Sequence, residues 1–335
     1  MAVSSIYVLE PRDRVAAEAE VLLDKSVYAT SATSIRSGFL GAAATGRDRC
    51  ALAMPSEVLP MRIAICQGPA EGGSIAQNLD LLERRAAEAV SRGARLLICP
   101  EMFLSGYNIG AERVSRLAEP ADGPSLARAA TIACERAVAL LVGYPERGEG
   151  GAVYNAVRLI GRDGIPLANY RKCHLFGDLD RGMFRPGSGP SGVVDLDGVR
   201  VGLLICYDVE FPESVRLLAL AGADLVAVPT ALMDPFEIVA RTVIPARAVE
   251  NQVFLAYANR CGREGDLRYC GQSCVAGPDG SDLARAGRGE ELILADLDLK
   301  RLSASRRDNT YLADRRPELY GALVAGPTQV DGDAA

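Results

Sequence analysis

The sequence predicts a layered α/β fold, with two sheets packed face to face and helices outside. Three observations carry that reading. Short apolar runs bounded by turn residues recur along the chain, as in Arg62-Ile63-Ala64-Ile65-Cys66 and Leu96-Leu97-Ile98-Cys99. Stretches with helical spacing separate them: Ile75, Leu79, Leu82, Ala86 and Val90 repeat every three to four residues. The two kinds of segment interleave, and the chain shows no internal repeat.

In chain order, residues 1–60 read differently from the rest. They hold one weakly helical stretch near Val15–Leu23 and then a Ser/Thr/Ala/Gly-rich segment with no sustained period. They are expected to form a poorly ordered extension, or to be upstream sequence with Met61 the natural start; a regulatory or oligomer-forming segment is the alternative. One domain follows over 61–325, and 326–335 reads as a tail. A helix starts after Ser74, where Ser74 and Gln77 form a capping box, and Gly93 stops it. A strand over Leu96–Cys99 follows. Asp122-Gly123-Pro124-Ser125 opens another helix, which ends before a strand at Ala139–Gly143. Tyr154–Ile160 and Leu167–Tyr170 pair around Gly161-Arg162-Asp163-Gly164. Arg200–Ile205 is a strand, Pro212 opens a helix over Glu213–Leu220, and Asp224–Val228 returns as a strand. A long helix is expected over Phe236–Glu250, kinked or shortened by Pro245. Val253–Ala258, Ser273–Ala276 and Leu292–Ala295 complete the strands.

Composition narrows the function. The 335 residues are 49% hydrophobic, enough to bury a large core, and the net charge of −6 argues against nucleic acid or an anionic membrane as partner. No apolar run approaches the ~20 residues of a membrane helix, and the N-terminus lacks a secretory pattern. Nine scattered cysteines, an odd count, fit reduced thiols in a cytoplasmic protein. Cys261, Cys270 and Cys274 lack paired metal-ligand spacing, so no metal is expected. No Gly-rich phosphate cradle and no G-x-S-x-G elbow are present, and no cofactor is expected.

Three of the expected strands end in reactive side chains. Cys206 follows Val201–Ile205 and precedes a helix, an exposed elbow where backbone N–H groups face an incoming carbonyl. Nearby cations and helix dipoles are expected to lower its thiol pKa. Most cysteines in such runs are simply buried core residues. Glu101 follows Cys99-Pro100; a carboxylate there can take the thiol proton, pass it to ammonia and activate water. A capping or solvated loop carboxylate is the commoner fate of one glutamate. Lys172 ends the strand Leu167–Tyr170 and can stabilise an oxyanion, although a lysine taken singly is usually a surface residue. His174 is the only histidine, so a papain-like Cys–His pair with Cys206 is a competing arrangement. Together, Glu101, Lys172 and Cys206 would hydrolyse an amide through a thioester.

Around these residues the sequence resembles the nitrilase, or carbon–nitrogen hydrolase, superfamily, over about Met61 to Leu323. Pro100-Glu101-Met102-Phe103-Leu104-Ser105-Gly106-Tyr107-Asn108 resembles its glutamate motif. Tyr170-Arg171-Lys172-Cys173-His174-Leu175-Phe176 resembles the lysine motif, and Ile205-Cys206-Tyr207-Asp208-Val209-Glu210-Phe211-Pro212-Glu213 the cysteine motif. The resemblance implies a carbon–nitrogen hydrolase domain folded as a four-layer α-β-β-α sandwich, often dimerised into a larger homo-oligomer. It implies Glu101 as general base, Lys172 as oxyanion stabiliser, Cys206 as nucleophile, and the backbone N–H of Tyr207 in the oxyanion hole. A second active-site carboxylate is implied at Asp180, with Asp178 as the nearby alternative. Gly143-Tyr144-Pro145-Glu146-Arg147-Gly148, His174-Leu175-Phe176-Gly177-Asp178-Leu179-Asp180-Arg181 and Tyr269-Cys270-Gly271-Gln272-Ser273 resemble the amidases that act on 5-aminopentanamide in lysine degradation. Residues 1–60 and Pro245 depart from that pattern.

The expected partner is thus a small amide, converted to carboxylate and ammonia. Nitrile hydrolysis or N-carbamoyl amine hydrolysis at the same triad is the alternative, and a binding protein without turnover is a reading of another class. A terminal ammonium on the substrate would need an anion some five bonds from the scissile carbonyl, with Glu210, Asp234, Glu264 and Asp266 as candidates on loops. Each of them is more commonly part of a solvated acidic rim.

Overall fold

Alternation along the strands decides the layering. In the computed structural model, which describes residues 60–68 and 73–325, Ile63, Ile65, Leu96, Ile98 and Leu141 pack into a core that also holds Val201, Leu203, Val226, Val228 and Leu255. The intervening Ala64, Cys66, Leu97, Cys99, Leu140 and Val142 pack with Leu82, Ala86, Leu126 and Ile132 from outer helices. Strands buried on both faces need apolar residues at successive positions, which is why these runs look continuous in the sequence. Each such leucine or isoleucine contributes about 1.5–3 kcal/mol by leaving water.

One sheet contains β1 (Met61–Gln67), β2 (Leu96–Ile98), β3 (Ala139–Arg147), β4 (Val153–Ile160) and β5 (Pro166–Arg171). The other contains β6 (Val194–Leu196), β7 (Val199–Leu203), β8 (Leu225–Pro229) and β9 (Phe254–Ala258). A hairpin of β10 (Cys261–Glu264) and β11 (Leu267–Cys270) stands apart, and β12 (Cys274–Ala276), β13 (Asp282–Arg285) and β14 (Glu291–Leu297) follow. The strand orders are β14-β1-β2-β3-β4-β5 and β13-β12-β9-β8-β7-β6. Each sheet has a parallel centre, β1-β2-β3 or β7-β8-β9, flanked by antiparallel strands. The helices α1 (Ile75–Ser91) and α3 (Pro124–Arg136) serve the first sheet's crossovers; α5 (Pro212–Leu220) and α6 (Ile244–Asn251) serve the second's. This is the four-layer α-β-β-α sandwich that the resemblance implies. Helix α1 opens on the expected capping box: the Gln77 N–H donates to Ser74 Oγ, and the Ser74 N–H donates to Gln77 Oε1 at 2.8 Å.

The helix expected over 236–250 forms but changes type along its length. Val239–Val243 form a π turn that leads into α6. Pro245 has no N–H to donate, and its ring would strike a carbonyl one turn back; the widened turn absorbs both. Helices α2 (Ala111–Leu117), α4 (Gly177–Met183) and α7 (Leu299–Asp308), the β10–β11 hairpin, and the edge strands β6 and β13 have no counterpart in the sequence-based expectations. Among the described residues no helix is long and apolar enough to cross a membrane. The expected N-terminal extension, apart from Pro60, and the tail at 326–335 lie outside the described residues.

Candidate active site

The ends of β2 and β5 meet in one buried cluster. Beyond β2, the Cys99 N–H still donates to the Leu141 carbonyl at 2.9 Å, and the chain then turns at Pro100-Glu101-Met102. The Glu101 N–H crosses to the Thr230 carbonyl, just past β8 in the opposite sheet, at 3.3 Å. Arg260 clamps the same turn, donating from Nε to the Glu101 carbonyl at 3.0 Å and from Nη2 to the Met102 carbonyl at 2.6 Å. Gly143 on β3 makes room for it. A Cβ there would lie 2.6 Å from the Met102 nitrogen and 2.7 Å from the Pro100 oxygen, so any side chain would displace Glu101.

Lys172, one residue past β5, meets Glu101 inside the protein. Its Nζ donates to Glu101 Oε1 at 2.8 Å and to Asp180 Oδ2 at 2.7 Å, and all three side chains are fully buried. Asn155 Nδ2 also donates to Glu101 Oε1, at 2.6 Å. Asp180 is held by the Tyr107 hydroxyl at 2.8 Å and by the Phe176 N–H at 2.8 Å. Asp180, not Asp178, therefore stands at the lysine; the Asp178 side chain is solvent-exposed and faces Arg181 at 3.8 Å.

Charge balance follows from burial. Burial pushes the Glu101 carboxyl up; Lys172 opposes that rise and Asp180 adds to it. Burial alone would lower the Lys172 ammonium, but Glu101, Cys206 and Asp180 hold it well above its usual range. The charged lysine is thus locked in place. Glu101 Oε2 is buried and has no hydrogen-bond partner among the described residues. Such an atom calls for an explanation, because leaving it unpaired costs about 1–3 kcal/mol.

Cys206 begins a 3₁₀ turn, Cys206–Glu210, between β7 and α5. Its φ of 47° lies in the left-handed region, a strained conformation for a residue with a side chain. The Thr230 side chain and the Ala231 backbone act on the thiol to lower its pKa. The thiol does not behave as expected from sequence. Burial and then the Glu101 carboxylate push it up, and Lys172 only partly offsets them. Desolvation outweighs the cation in that balance, which favours the thiol over the thiolate and calls for a base during attack.

His174 is elsewhere engaged. Its Nδ1 lies 2.8 Å from Asp208 Oδ1, its ring stacks on Phe211 at 4.0 Å, and its side chain is 39% exposed. Buried Asp208 also accepts from the His174 N–H at 2.8 Å, the Tyr170 hydroxyl at 2.9 Å and the Ile205 N–H at 3.1 Å. The histidine thus belongs to a bracket behind the cysteine turn, and the papain-like pairing has no geometric support.

Sequence reasoning missed Asn155, Tyr107 and Thr230. Asn155 had a signal, a lone amide inside the apolar run of β4 that could be buried only with a partner. Tyr107 and Thr230 had none beyond their nearness to strand ends.

Comparison with known proteins identifies the family. The carbon-nitrogen hydrolase family profile matches residues 62–307. A protein of Pseudomonas protegens described as "hydrolase in pqqF 5'region" is 55% identical over 268 residues, 80% of this chain and 93% of that protein. An (R)-stereoselective amidase of Pseudomonas sp. is 41% identical over 271 residues, 80% of this chain and 96% of that one. The crystal structure of an amidase from Nesterenkonia sp. superposes with a TM-score of 0.69 at 38% identity, covering 79% of this chain and 97% of that chain. A variant of that amidase has been solved in complex with butyramide. The chain belongs to the carbon-nitrogen hydrolase family, within the nitrilase superfamily.

Proposed function

We propose that the protein is a cysteine-dependent amidase that hydrolyses small linear amides, 5-aminopentanamide among them, to carboxylate and ammonia. The observation that carries this reading is the buried Glu101 carboxylate, fixed through Oε1 by Lys172 and Asn155 while Oε2 has no partner among the described residues. An anchored carboxylate with one free oxygen is a base waiting for a proton. As Cys206 Sγ attacks the amide carbon, Glu101 takes the thiol proton. The tetrahedral oxyanion is held by Lys172 Nζ and the backbone N–H of Tyr207. The C–N bond then breaks, Glu101 returns the proton to the leaving nitrogen, and a thioester and ammonia result. Glu101 next deprotonates a water that attacks the thioester carbon, releasing the carboxylic acid and restoring the thiol. Asp180 positions the lysine throughout. The raised carboxyl pKa suits a group that must act alternately as base and acid.

A relative that holds butyramide supports a linear amide as the substrate class. The test is ammonia release from a panel of 3–6-carbon amides with and without a terminal amine, beside matched nitriles and N-carbamoyl amines. Amides should turn over, and Cys206→Ala should abolish turnover without changing the unfolding midpoint. Full activity of Cys206→Ala would end the nucleophile assignment, and faster nitrile or carbamoyl turnover would replace the amidase reading.

A further inference from the structure

Four carboxylates were candidates to meet a cation at the far end of the substrate, and the structure removes three. Glu264 is buried and accepts from the N–H groups of Tyr107 and Asn108 and from the Tyr269 hydroxyl. Asp234 is paired with Arg288 at 3.1 Å and faces Arg268 at 3.5 Å. Asp266 is exposed and accepts from Asn108 Nδ2. Glu210 differs from all of them. It is half-buried, and among the described residues its carboxylate has neither hydrogen bond nor ion pair. Only its backbone carbonyl is engaged, accepting from Arg247 Nη2 at 2.9 Å. The neighbouring Arg247 guanidinium makes its side-chain bonds elsewhere, through Nη1 to Glu250 at 2.8 Å and through Nε to the Val209 carbonyl at 3.1 Å.

Glu210 also stands close to the reacting residues. It closes the 3₁₀ turn that Cys206 opens. Its charge acts on Lys172, beyond β5 in the other sheet, and on the Tyr257 hydroxyl of β9, which senses Cys206 as well. A 3₁₀ rise of about 2 Å per residue separates the two Cα atoms by about 8 Å. An extended five-bond chain spans about 6 Å, and a charge-assisted hydrogen bond adds about 2.8 Å. The rings of Phe176, Tyr207 and Phe211, in edge contact at centroid distances of 5.4 and 5.0 Å, supply apolar surface beside the turn for a methylene stem.

We propose that Glu210 is the specificity-determining anchor for a primary ammonium at the far end of a linear amide substrate. This rests on the amidase reading above and narrows it to ω-amino amides. An unpaired, partly desolvated carboxylate gains most from a cation of matching reach, and the neutral analogue forgoes that gain.

The test compares 5-aminopentanamide with pentanamide on the full-length enzyme and on Glu210→Gln. In the wild type the amino amide should have the higher kcat/KM. In Glu210→Gln the ratio of the two kcat/KM values should fall at least about tenfold, the size of a lost charge-assisted bond, mainly through KM. Glu210→Arg should turn the preference toward 4-carbamoylbutanoate, whose far end is an anion. Thermal unfolding of both variants identifies a folding defect, in which case Glu210→Asp, expected to keep part of the preference, decides the assignment. A wild type without any preference for the amino amide would overturn the substrate reading itself. A wild-type preference that survives intact in Glu210→Gln and Glu210→Arg would overturn only the assignment of Glu210.

Discussion

Lys172 and His174 leave the same strand end two residues apart, and each meets an aspartate, yet they serve different ends. Lys172 is sealed between Glu101 and Asp180 with no exposure on any of the three side chains. His174 holds Asp208 from the outside, 39% exposed and stacked on Phe211. The sealed cluster holds one cation and one carboxylate oxygen unpartnered among the described residues, and both Glu101 and Lys172 act electrostatically on the thiol. The open pair holds the turn on which the thiol stands, because Asp208 bonds the Ile205 N–H directly before Cys206. In the proposed mechanism one network supplies charge to the reaction and the other supplies geometry. Burial separates them, since only desolvated charges interact strongly enough to move a proton's preference.

Removing the cation from the sealed cluster tests that contrast most severely. Lys172→Met leaves Glu101 and Asp180 buried without a counterion, a loss of about 3–5 kcal/mol in urea unfolding. Turnover in the folded fraction should fall at least about 10²–10³-fold, the cost of one oxyanion donor. The pH profile carries a second signature. Burial holds Glu101 above the ordinary carboxylate range, so wild-type kcat/KM should decline with falling pH through a value above ~4.3. Lys172 opposes that rise, so in Lys172→Met the acid limb should shift to higher pH. Wild-type turnover in this variant, or an unmoved limb, would erase the distinction between the two networks.

How much of this was legible in the sequence follows the same division. Glu101, Lys172 and Cys206 stood out because each interrupts or ends an apolar run, where a charge or thiol has few ordinary reasons to be. The strands of both parallel centres stood out for the same cause. Asp180 was placed only by resemblance, because α4 carries Gly177 and Gly182 and lacks a helical apolar repeat; the contacts of Asp180 with Lys172 and Tyr107 help hold it. The β10–β11 hairpin turns at Gly265-Asp266, a usable signal, but its strands alternate too weakly to be read as strands. The raised thiol was not legible at all. A sequence shows which charges are near in the chain, not how much water the fold removes from around them.

The bracket behind the turn should yield a smaller effect of a different kind. Asp208→Ala strips an acceptor from the Ile205 N–H, the Tyr170 hydroxyl and both His174 donors, in a fully buried place. Unsatisfied buried donors cost about 1–3 kcal/mol each and do not add simply. A total loss of about 3 kcal/mol is expected in chemical unfolding. Because the turn then holds Cys206 less firmly, kcat should fall by about tenfold to a hundredfold with the acid limb of the pH profile unmoved. A shifted limb would mean that Asp208 belongs with the charge cluster after all.

His174→Ala should be the mildest of the three, for a reason visible in the hydrogen bonds. The substitution removes the Nδ1 donor and the stacked ring, but the backbone N–H of residue 174 still donates to Asp208 Oδ1, and the Tyr170 and Ile205 donors stay in place. A part-exposed hydrogen bond and one ring contact together are worth about 1–2 kcal/mol. Unfolding should shift by that amount, and kcat on the best amide should stay within about tenfold of wild type. If the imidazole were instead the base for Cys206, its loss would be as damaging as Cys206→Ala, because a thiol pushed up by burial cannot ionise unaided. Steady-state kinetics on the two variants side by side therefore decides which of the paired residues at this strand end takes part in the chemistry and which one steadies it.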